Sequence, residues 1–278
     1  MSKNVAIIAV KTCAAVTLAL LFLLPLWWVA VSAFRPEADI FKYLSPLSVW
    51  TFLPNDPNWT NFQRLFSGAF GTAIMNSIIV AAVTVAVGLV ICAGAAFALA
   101  VMEFPAKNAI FAAMVISFLI PFDAIAVPLY GMMRQAELQN TYIGLILPGI
   151  GNGLAIFSLR QFFLGIPKTL REAALVDGLS WWAIFTRIYL PLSGPALVGA
   201  GLILFVFQWQ AYLWPLLIAP NPRYAVASVA IAQFSNSFGV EYGPIFAGAL
   251  VISLIPMIVI AVLQRYFTAS VAASGSKE

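Results

Sequence analysis

The sequence predicts an all-α integral membrane protein, and three observations support this fold class. Of 278 residues, 63% are hydrophobic and only 9% are charged, whereas soluble domains carry about 25% charged residues. The apolar residues form six long runs, each near the roughly 20 residues that a helix needs to cross about 30 Å of hydrocarbon. The alternating polar and apolar strands of a membrane barrel do not occur, and helices are the other structure that satisfies its backbone in lipid.

These runs predict six membrane-crossing helices, over residues 12–33, 78–101, 109–133, 142–159, 196–219 and 245–263. The first run has 22 residues and exceeds the roughly 7–15 residue core of a signal peptide. We therefore interpret it as a retained helix, and a signal removed after Ala33 is the alternative. The second run extends back towards Thr72 in an alternative interpretation.

The distribution of Lys and Arg predicts that both termini are cytoplasmic. With the N-terminus inside, nine basic residues fall on the cytoplasmic side and five on the other, as the positive-inside rule favours. The cytoplasmic set is Lys3, Lys11, Lys107, Arg160, Lys168, Arg171, Arg187, Arg265 and Lys277, and the outer set is Arg35, Lys42, Arg64, Arg134 and Arg223. The polar stretch REAALVDG, residues 171–178, is thereby predicted to be cytoplasmic.

Residues 35–71 are predicted to form an outward loop with short helices. Prolines interrupt this segment, and Asp and Asn residues supply turn chemistry. Five aromatic residues indicate that parts of the loop contact the membrane interface or cap the helix bundle; these are Trp50, Phe52, Trp59, Phe62 and Phe66.

Residues 160–194 form a second connection, which we expect to contain two helices. Thr169 and Glu172 have the spacing of a capping box, Pro167 blocks continuation of the preceding helix, and Gly178 is suited to end a helix. These signals predict a two-turn helix over residues 170–177. A helix this short is marginal in water, so it either packs on its own bundle or is completed by another surface.

The second helix of this connection is predicted to lie in the membrane interface. Trp181, Ile184, Phe185 and Ile188 fall at positions i, i+3, i+4 and i+7 and form an apolar stripe. Pro191, Gly194 and Pro195 then turn the chain back towards the bilayer.

The residue inventory argues against catalysis by this chain. Histidine is absent, which removes the commonest general base and metal ligand. Cys13 and Cys92 lie in separate apolar runs and are expected to pack or to face lipid. No G-x-x-x-x-G-K-[ST] motif occurs, and the net charge of +4 is not gathered into a basic patch interleaved with aromatics. We therefore expect no catalytic residue, no metal site and no nucleic-acid partner.

A spaced motif identifies a family. Glu172-Ala173-Ala174, Gly178 and Ile188-x-Leu190-Pro191 reproduce the pattern EAA-x3-G-x9-I-x-LP. The chain thereby resembles the permease subunits of bacterial binding-protein-dependent carbohydrate ABC importers, and is similar to the second permease of the maltose type. Segments 138–148, 157–167 and 264–267 also resemble this family, so that the likeness covers nearly the whole chain.

The resemblance implies a type I importer permease fold in a bacterial plasma membrane. It divides the chain into a first transmembrane helix with a cytoplasmic N-terminus (1–34), an extracytoplasmic loop (35–71), a permease core of five helices (72–267) with its coupling loop at 160–194, and a cytoplasmic tail (268–278). The tail lacks the glycine-rich basic ending of many relatives, so a regulatory contact there is in doubt.

The resemblance also implies partners. They are a second permease subunit, two ATPase subunits that bind ATP and Mg²⁺, and an extracytoplasmic solute-binding protein, besides membrane lipid; this chain itself is expected to bind no cofactor. The EAA helix would dock in a groove of the ATPase and couple ATP hydrolysis to transport. The residues implied in coupling are Arg171, Glu172, Ala173, Ala174, Asp177 and Gly178.

A second group of polar residues is predicted to line the solute path. Asp123 is the one carboxylate inside an apolar run and should face the interior, either accepting hydrogen bonds from sugar hydroxyls or pairing with a neighbouring helix. Aromatic and amide side chains can bind a pyranose, and they can equally pack helices against one another. These candidates are Gln208, Trp209, Gln210, Tyr212 and Asn152; Gln210 and Ala211 replace the Asn and the acidic residue that relatives commonly show.

The predicted solute is a sugar or oligosaccharide, and glycerol-3-phosphate or a glycerophosphodiester is the alternative for the same machinery. A phosphate favours several cationic groups, and no Lys or Arg lies deep in an apolar run. A secondary transporter is disfavoured because Asp123 is the sole intramembrane acid and no internal repeat is visible. A membrane enzyme lacks the usual acid and base pair.

Overall fold

The computed structural model describes residues 3–236 and 239–274, and helices dominate it. The helices are α1 (Lys3–Ala33), α2 (Thr60–Phe66), α3 (Phe70–Val101), α4 (Lys107–Leu119), α5 (Phe122–Gln135), α6 (Tyr142–Ile146), α7 (Gly153–Leu164), α8 (Lys168–Val176), α9 (Trp181–Ile184), α10 (Leu190–Leu192), α11 (Gly194–Trp209), α12 (Leu213–Ile218), α13 (Ala227–Ala232) and α14 (Tyr242–Ser274). Strands β1 (Ser235–Asn236) and β2 (Gly239–Val240) pair antiparallel. The predicted all-α fold class is confirmed.

Shorter turns connect these helices. Four are 3₁₀ turns, at Glu37–Asp39, Val49–Thr51, Leu147–Gly149 and Pro222–Tyr224, and one is a π-helical turn at Phe185–Tyr189. The predicted cytoplasmic tail, residues 268–278, begins within α14, and its last four residues, 275–278, lie outside the described part of the chain.

Six segments of the described chain have the length and apolar composition of membrane spans. Three are single helices, namely Ile7–Ala33, α3 and Tyr242–Arg265. The other three are bent pairs of helices: α4 with α5 at 101°, Tyr142–Gly149 with α7 at 43°, and Trp181–Leu192 with α11 at 87°. The number of spans agrees with the six predicted crossings. However, three of the six are broken helices, whereas six continuous helices were predicted.

The continuous helices predicted over 109–133, 142–159 and 196–219 are wrong. The first run breaks between α4 and α5 at Pro121, which has extended backbone angles and no N–H to continue the ladder. The second run breaks over residues 150–152, where Asn152 starts α7 as its N-cap. The third run stops at Trp209, and α12 begins after a break at residues 210–212.

The described chain divides into two compact units. One comprises residues 1–71 and 230–254, and the other comprises residues 72–229 and 255–278. The second unit contains the coupling loop and all the predicted path residues. Its larger hydrophobic core joins Ala174, Ile184 and Phe185 of the 160–194 connection to Phe97 of α3 and Phe163 of α7.

The loop at residues 35–58 of the first unit is organised around a buried arginine. The Arg35 side chain is 1% exposed, and its guanidinium donates to the carbonyl oxygens of Ile40 at 3.5 Å, Thr51 at 3.0 Å and Leu53 at 3.2 Å, and also to that of Trp50. The pKa of this guanidinium is lowered by burial, and the nearby Tyr43 and Asp39 partly oppose that shift. An arginine nevertheless stays charged.

Asn61 of α2 fixes both ends of the same turn. Its side-chain amide donates to the carbonyl oxygens of Ala33 at 2.9 Å and Arg35 at 2.7 Å. The short helices predicted in the 35–71 segment are therefore present, and the loop has a defined internal structure.

Replacing Arg35 by Ala is expected to loosen this loop. The carbonyl oxygens would lose a charged donor, and such hydrogen bonds contribute about 1.5–3 kcal/mol each. We expect proteolytic cleavage within residues 36–58 of the purified protein to become at least about tenfold faster. Lys42→Ala removes an exposed ion pair with Asp39 and a cation–π contact with Tyr43, both weak at the surface, and this variant should be cleaved at the wild-type rate. Equal rates for Arg35→Ala and the wild type would contradict this role.

Candidate functional site

The short helix α8 forms the candidate coupling site. It runs from Lys168 to Val176, Pro167 is its N-cap, and no side chain caps its start. The predicted Thr169–Glu172 capping box is therefore wrong. The predicted short helix is present, and it begins two residues before and ends one residue before its approximate predicted bounds of 170–177. The Glu172 carboxylate instead lies 3.6 Å from Nη2 of its neighbour in sequence, Arg171.

The end of α8 has the geometry that its sequence predicts. Gly178 has a φ of +77°, the left-handed region that glycine adopts without steric cost. The Leu179 amide donates to the Ala174 carbonyl at 2.9 Å and the Gly178 amide to the Leu175 carbonyl at 3.1 Å. This pair of bonds is the Schellman motif, so the prediction that Gly178 ends this helix is confirmed.

The two faces of α8 differ. The side chain of Glu172 is 61% exposed and Val176 is 88% exposed; Ala173 and Asp177 are exposed as well. Ala174 points the other way, is 5% exposed and belongs to the hydrophobic core. The EAA motif is thus divided, with Glu172 and Ala173 available to another surface and Ala174 packed on its own protein.

Arg171 also turns inward. Its side chain is 19% exposed, and Nη1 donates to the carbonyl oxygen of Val101, the last residue of α3, at 3.0 Å. Arg171 therefore attaches α8 to α3 and does not extend towards solvent.

Two further cations bind the same end of α3. Arg160 of α7 donates from Nε to the Leu99 carbonyl at 3.1 Å, and its guanidinium lies 3.8 Å from the Phe111 ring centroid. Lys107 Nζ donates to the carbonyls of Met102 at 2.7 Å and Ala100 at 3.4 Å. We call Lys107, Arg160 and Arg171 the cation cluster.

The cation cluster satisfies a physical need of α3. The last four carbonyls of a helix have no partner within it, and the helix dipole concentrates negative charge there. Side chains from α4, α7 and α8 supply the donors, so three separate segments are fixed to one point. Sequence reasoning had assigned these residues only to the cytoplasmic side or to coupling, since no local pattern links residues so far apart in the chain.

The segment after α8 packs differently from its prediction. Ile184 is fully buried and Phe185 is 5% exposed, whereas Trp182 is 70% exposed. The predicted stripe therefore faces mainly the hydrophobic core of this unit. The turn at Phe185–Tyr189 is π-helical, with i→i+5 hydrogen bonds, and lies just before Pro191, which has no N–H to donate.

The break at residues 150–152 lies close to the ends of α11 and α4. Gln208, near the end of α11, accepts a hydrogen bond from Thr84 of α3 at 3.4 Å, and a Cβ built on Gly149 would lie 2.5 Å from Gln208 Oε1. A Cβ on Gly153 would lie 3.0 Å from Phe118, near the end of α4. Irregular backbone at membrane depth is tolerated where protein or a water-filled cavity satisfies it.

The predicted path residues separate into exposed and structural groups. Asp123, Gln210 and Tyr212 are exposed. Asn152 accepts from the Ala155 amide at 3.0 Å as the N-cap of α7, and Trp209 is 7% exposed and stacks on Phe205. The last two therefore have structural contacts within this chain.

Asp123 is exposed and does not face the interior of this chain as predicted. It lies in the first turn of α5, directly after the 101° bend. The free N–H groups and the positive end of the helix dipole favour a carboxylate there, so its cost in the membrane is lower than at a helix centre.

The second unit also has a groove of about 610 Å³ between α3, α11 and residues 255–263 of α14. Its lining is almost wholly apolar, as Ala81, Val85, Gly201, Phe205 and Ile255 illustrate, and such a groove offers no hydrogen bonds to a sugar. Within the described residues, no group of three His, Cys, Asp or Glu side chains could hold a metal ion.

The chain is similar to several known proteins. The family model described as "Binding-protein-dependent transport system inner membrane component" matches residues 88–272. The arabinooligosaccharides transport system permease protein AraQ of Halalkalibacterium halodurans is 31% identical over 94% of this chain and 93% of its own length. The sn-glycerol-3-phosphate transport system permease protein UgpE of Yersinia pestis is 28% identical over 89% of this chain and 90% of its own length.

A solved structure is similar as well. It is a bacterial ABC transporter involved in the import of the acidic polysaccharide alginate, and one of its chains matches with a TM-score of 0.79 at 20% identity, covering 96% of this chain and 99% of that one. At this identity the likeness shows a shared fold.

Proposed function

The chain belongs to the family of binding-protein-dependent transport system inner membrane components, and on this basis we propose that it forms half of the translocation pathway of an ATP-driven sugar importer. It is a multi-pass bacterial membrane protein with the type I permease fold. Its relatives are transport permeases, so its part in the machine is that of a non-catalytic subunit.

The observation that supports coupling through α8 is its division into two faces. Glu172, Ala173 and Val176 are exposed, while Arg171 and Ala174 attach the helix to the core. A helix of nine residues is too short to be stable alone, yet this one is fixed along one side and ended by a Schellman turn. The free side offers one carboxylate and small or apolar contacts to a partner groove.

Force applied to α8 would reach the membrane helices through the cation cluster. Arg171 connects α8 to the end of α3, and Arg160 and Lys107 connect that end to α7 and α4. ATP-driven closure of two ATPase subunits would displace α8, and α3 would move with it. Discrete repacking of helices of this kind is how transporters switch between two open states.

The proposed partners are a second permease, two ATPase subunits and an extracytoplasmic solute-binding protein. ATP and Mg²⁺ would bind to the ATPase subunits, since this chain has no phosphate-binding G-x-x-x-x-G-K-[ST] loop. The cytoplasmic position of both termini stays a prediction. The same prediction applies to α8, because it must face the ATPase.

An uncharged sugar fits the exposed path residues better than a phosphate. Gln210 and Tyr212 lie at the break after α11, and Asp123 lies at the break before α5. Amide, phenol and carboxylate groups bind hydroxyls, whereas the Asp123 charge repels an anion. Glycerol-3-phosphate is the alternative solute, because one relative is named for its transport.

Glu172→Lys is expected to uncouple ATP hydrolysis from uptake. The carboxylate is exposed and pairs with Arg171 at 3.6 Å, so reversing its charge disturbs the docking face, while Ala174 still packs in the core. We expect the variant to insert and assemble normally, and ATP-dependent uptake by the reconstituted complex to fall at least about tenfold.

Glu137→Lys is the matched control, because Glu137 is also exposed and lies outside α8. This control should transport at the wild-type rate. Normal uptake by Glu172→Lys would remove that residue from the proposed contact.

Asp123→Ala is expected to reduce sugar uptake and to distinguish the two solute classes. Loss of a charged hydrogen-bond acceptor costs about 1.5–3 kcal/mol, so uptake of labelled arabinooligosaccharide at low concentration should fall about tenfold or more. If sn-glycerol-3-phosphate is the solute, removing the negative charge should raise its uptake. Asp56→Ala, at another exposed aspartate, is the control; unchanged uptake of both solutes by Asp123→Ala would contradict a role in the path.

A further inference from the structure

The loop of the first unit exposes a cluster of apolar residues close together in sequence, which we call the loop patch. Five residues within a span of seven are exposed: Leu47 by 71%, Val49 by 68%, Trp50 by 44%, Phe52 by 45% and Leu53 by 47%. Exposed apolar patches of this kind mark contacts with lipid or protein. Because the loop is built around a buried arginine, the patch is a defined surface and not a flexible tail.

The loop patch is held against the side of α1, before the C-terminal end of that helix. Trp27 Nε1 donates to the Phe52 carbonyl oxygen at 2.8 Å. Trp27 precedes the last residue of α1, Ala33, by six positions, which corresponds to about 9 Å along the helix. The chain therefore folds back along α1 towards the bilayer.

The level of Trp27 corresponds to the edge of the hydrocarbon. The span Ile7–Ala33 has a mean hydropathy of 2.4, and none of its most apolar window is buried within this chain. Its 27 residues are about 40 Å long and exceed a hydrocarbon core of about 30 Å. Adjacent tryptophans, Trp27 and Trp28, are typical of the membrane–water interface.

The backbone of the loop patch is prepared for a medium with little water. Arg35 satisfies the carbonyl oxygens of Trp50, Thr51 and Leu53 from inside the loop. The Thr51 hydroxyl donates to Tyr43 O and accepts from the Ser48 amide. Unsatisfied backbone groups are the main cost of placing a non-helical segment in lipid, and here that cost is reduced while the apolar side chains face outward.

From this geometry we infer that the loop patch inserts into the interfacial region of the outer leaflet and holds the loop on the membrane surface. Its partner is the lipid bilayer, and the mode is that of an interfacial anchor. Lys42, whose side chain is 58% exposed, lies near the patch in sequence and can reach lipid phosphates. This inference concerns the first unit and is independent of the coupling role of α8.

Site-directed spin labelling tests the inference on the assembled complex in phosphatidylethanolamine–phosphatidylglycerol vesicles. A nitroxide is placed at Val49→Cys in a Cys13→Ser background, which leaves the buried Cys92. Power saturation then compares collisions with oxygen, which concentrates in lipid, and with a water-soluble nickel chelate. We expect oxygen to dominate at position 49, and at Leu47→Cys as a second site, whereas the chelate dominates at Asp56→Cys.

Two outcomes would overturn the inference. Dominance of the chelate at positions 47 and 49 would show that the patch lies in water. Exclusion of both reagents there would show that a protein subunit covers it.

Discussion

The carbonyl oxygens at the end of α3 impose the constraint on which the second unit depends. A helix that crosses a membrane must satisfy its last carbonyls at the interface, and here Lys107, Arg160 and Arg171 do so from three different segments. One electrostatic requirement thereby determines where α4, α7 and α8 meet α3. The same contacts make the short helix α8 part of the bundle and leave only its outer face free.

The broken spans follow from a second requirement, that polar backbone at membrane depth be satisfied within the protein. Asn152 caps α7, the Trp214 indole donates to the Gly144 carbonyl at 2.9 Å, and Ser228 donates to the Ala211 carbonyl at 2.7 Å. Such contacts permit interruptions in helices that would otherwise be continuous. The interruptions leave amide, phenol and carboxylate side chains exposed in the isolated chain, which is the chemistry that a polar solute requires.

The sequence alone predicted the fold class, the number of candidate spans and the glycine that ends α8, because hydropathy and local steric preference determine these features. It predicted the turn at Pro191, Gly194 and Pro195 before α11, but not the 101° bend at Pro121 or the 43° bend at residues 150–152, since a continuous apolar run does not record where a helix changes direction. The predicted Thr169–Glu172 capping box does not form: Pro167 is the N-cap of α8, and Glu172 pairs with Arg171. The cation cluster was missed for another reason: its members lie up to 64 positions apart, from Lys107 to Arg171, and only the tertiary structure brings them together.

The central claim is that α8 and the end of α3 move as one body when ATP binds to the partner subunits. It is tested most directly by the distance between spin labels at Lys168→Cys on α8 and Glu103→Cys after α3, both exposed, in nucleotide-free and ATP-trapped complexes. The account predicts that this distance stays constant within about 1–2 Å, while labels across the two permeases move apart or together. A shift of about 5 Å, one helical turn, between Lys168 and Glu103 would contradict it.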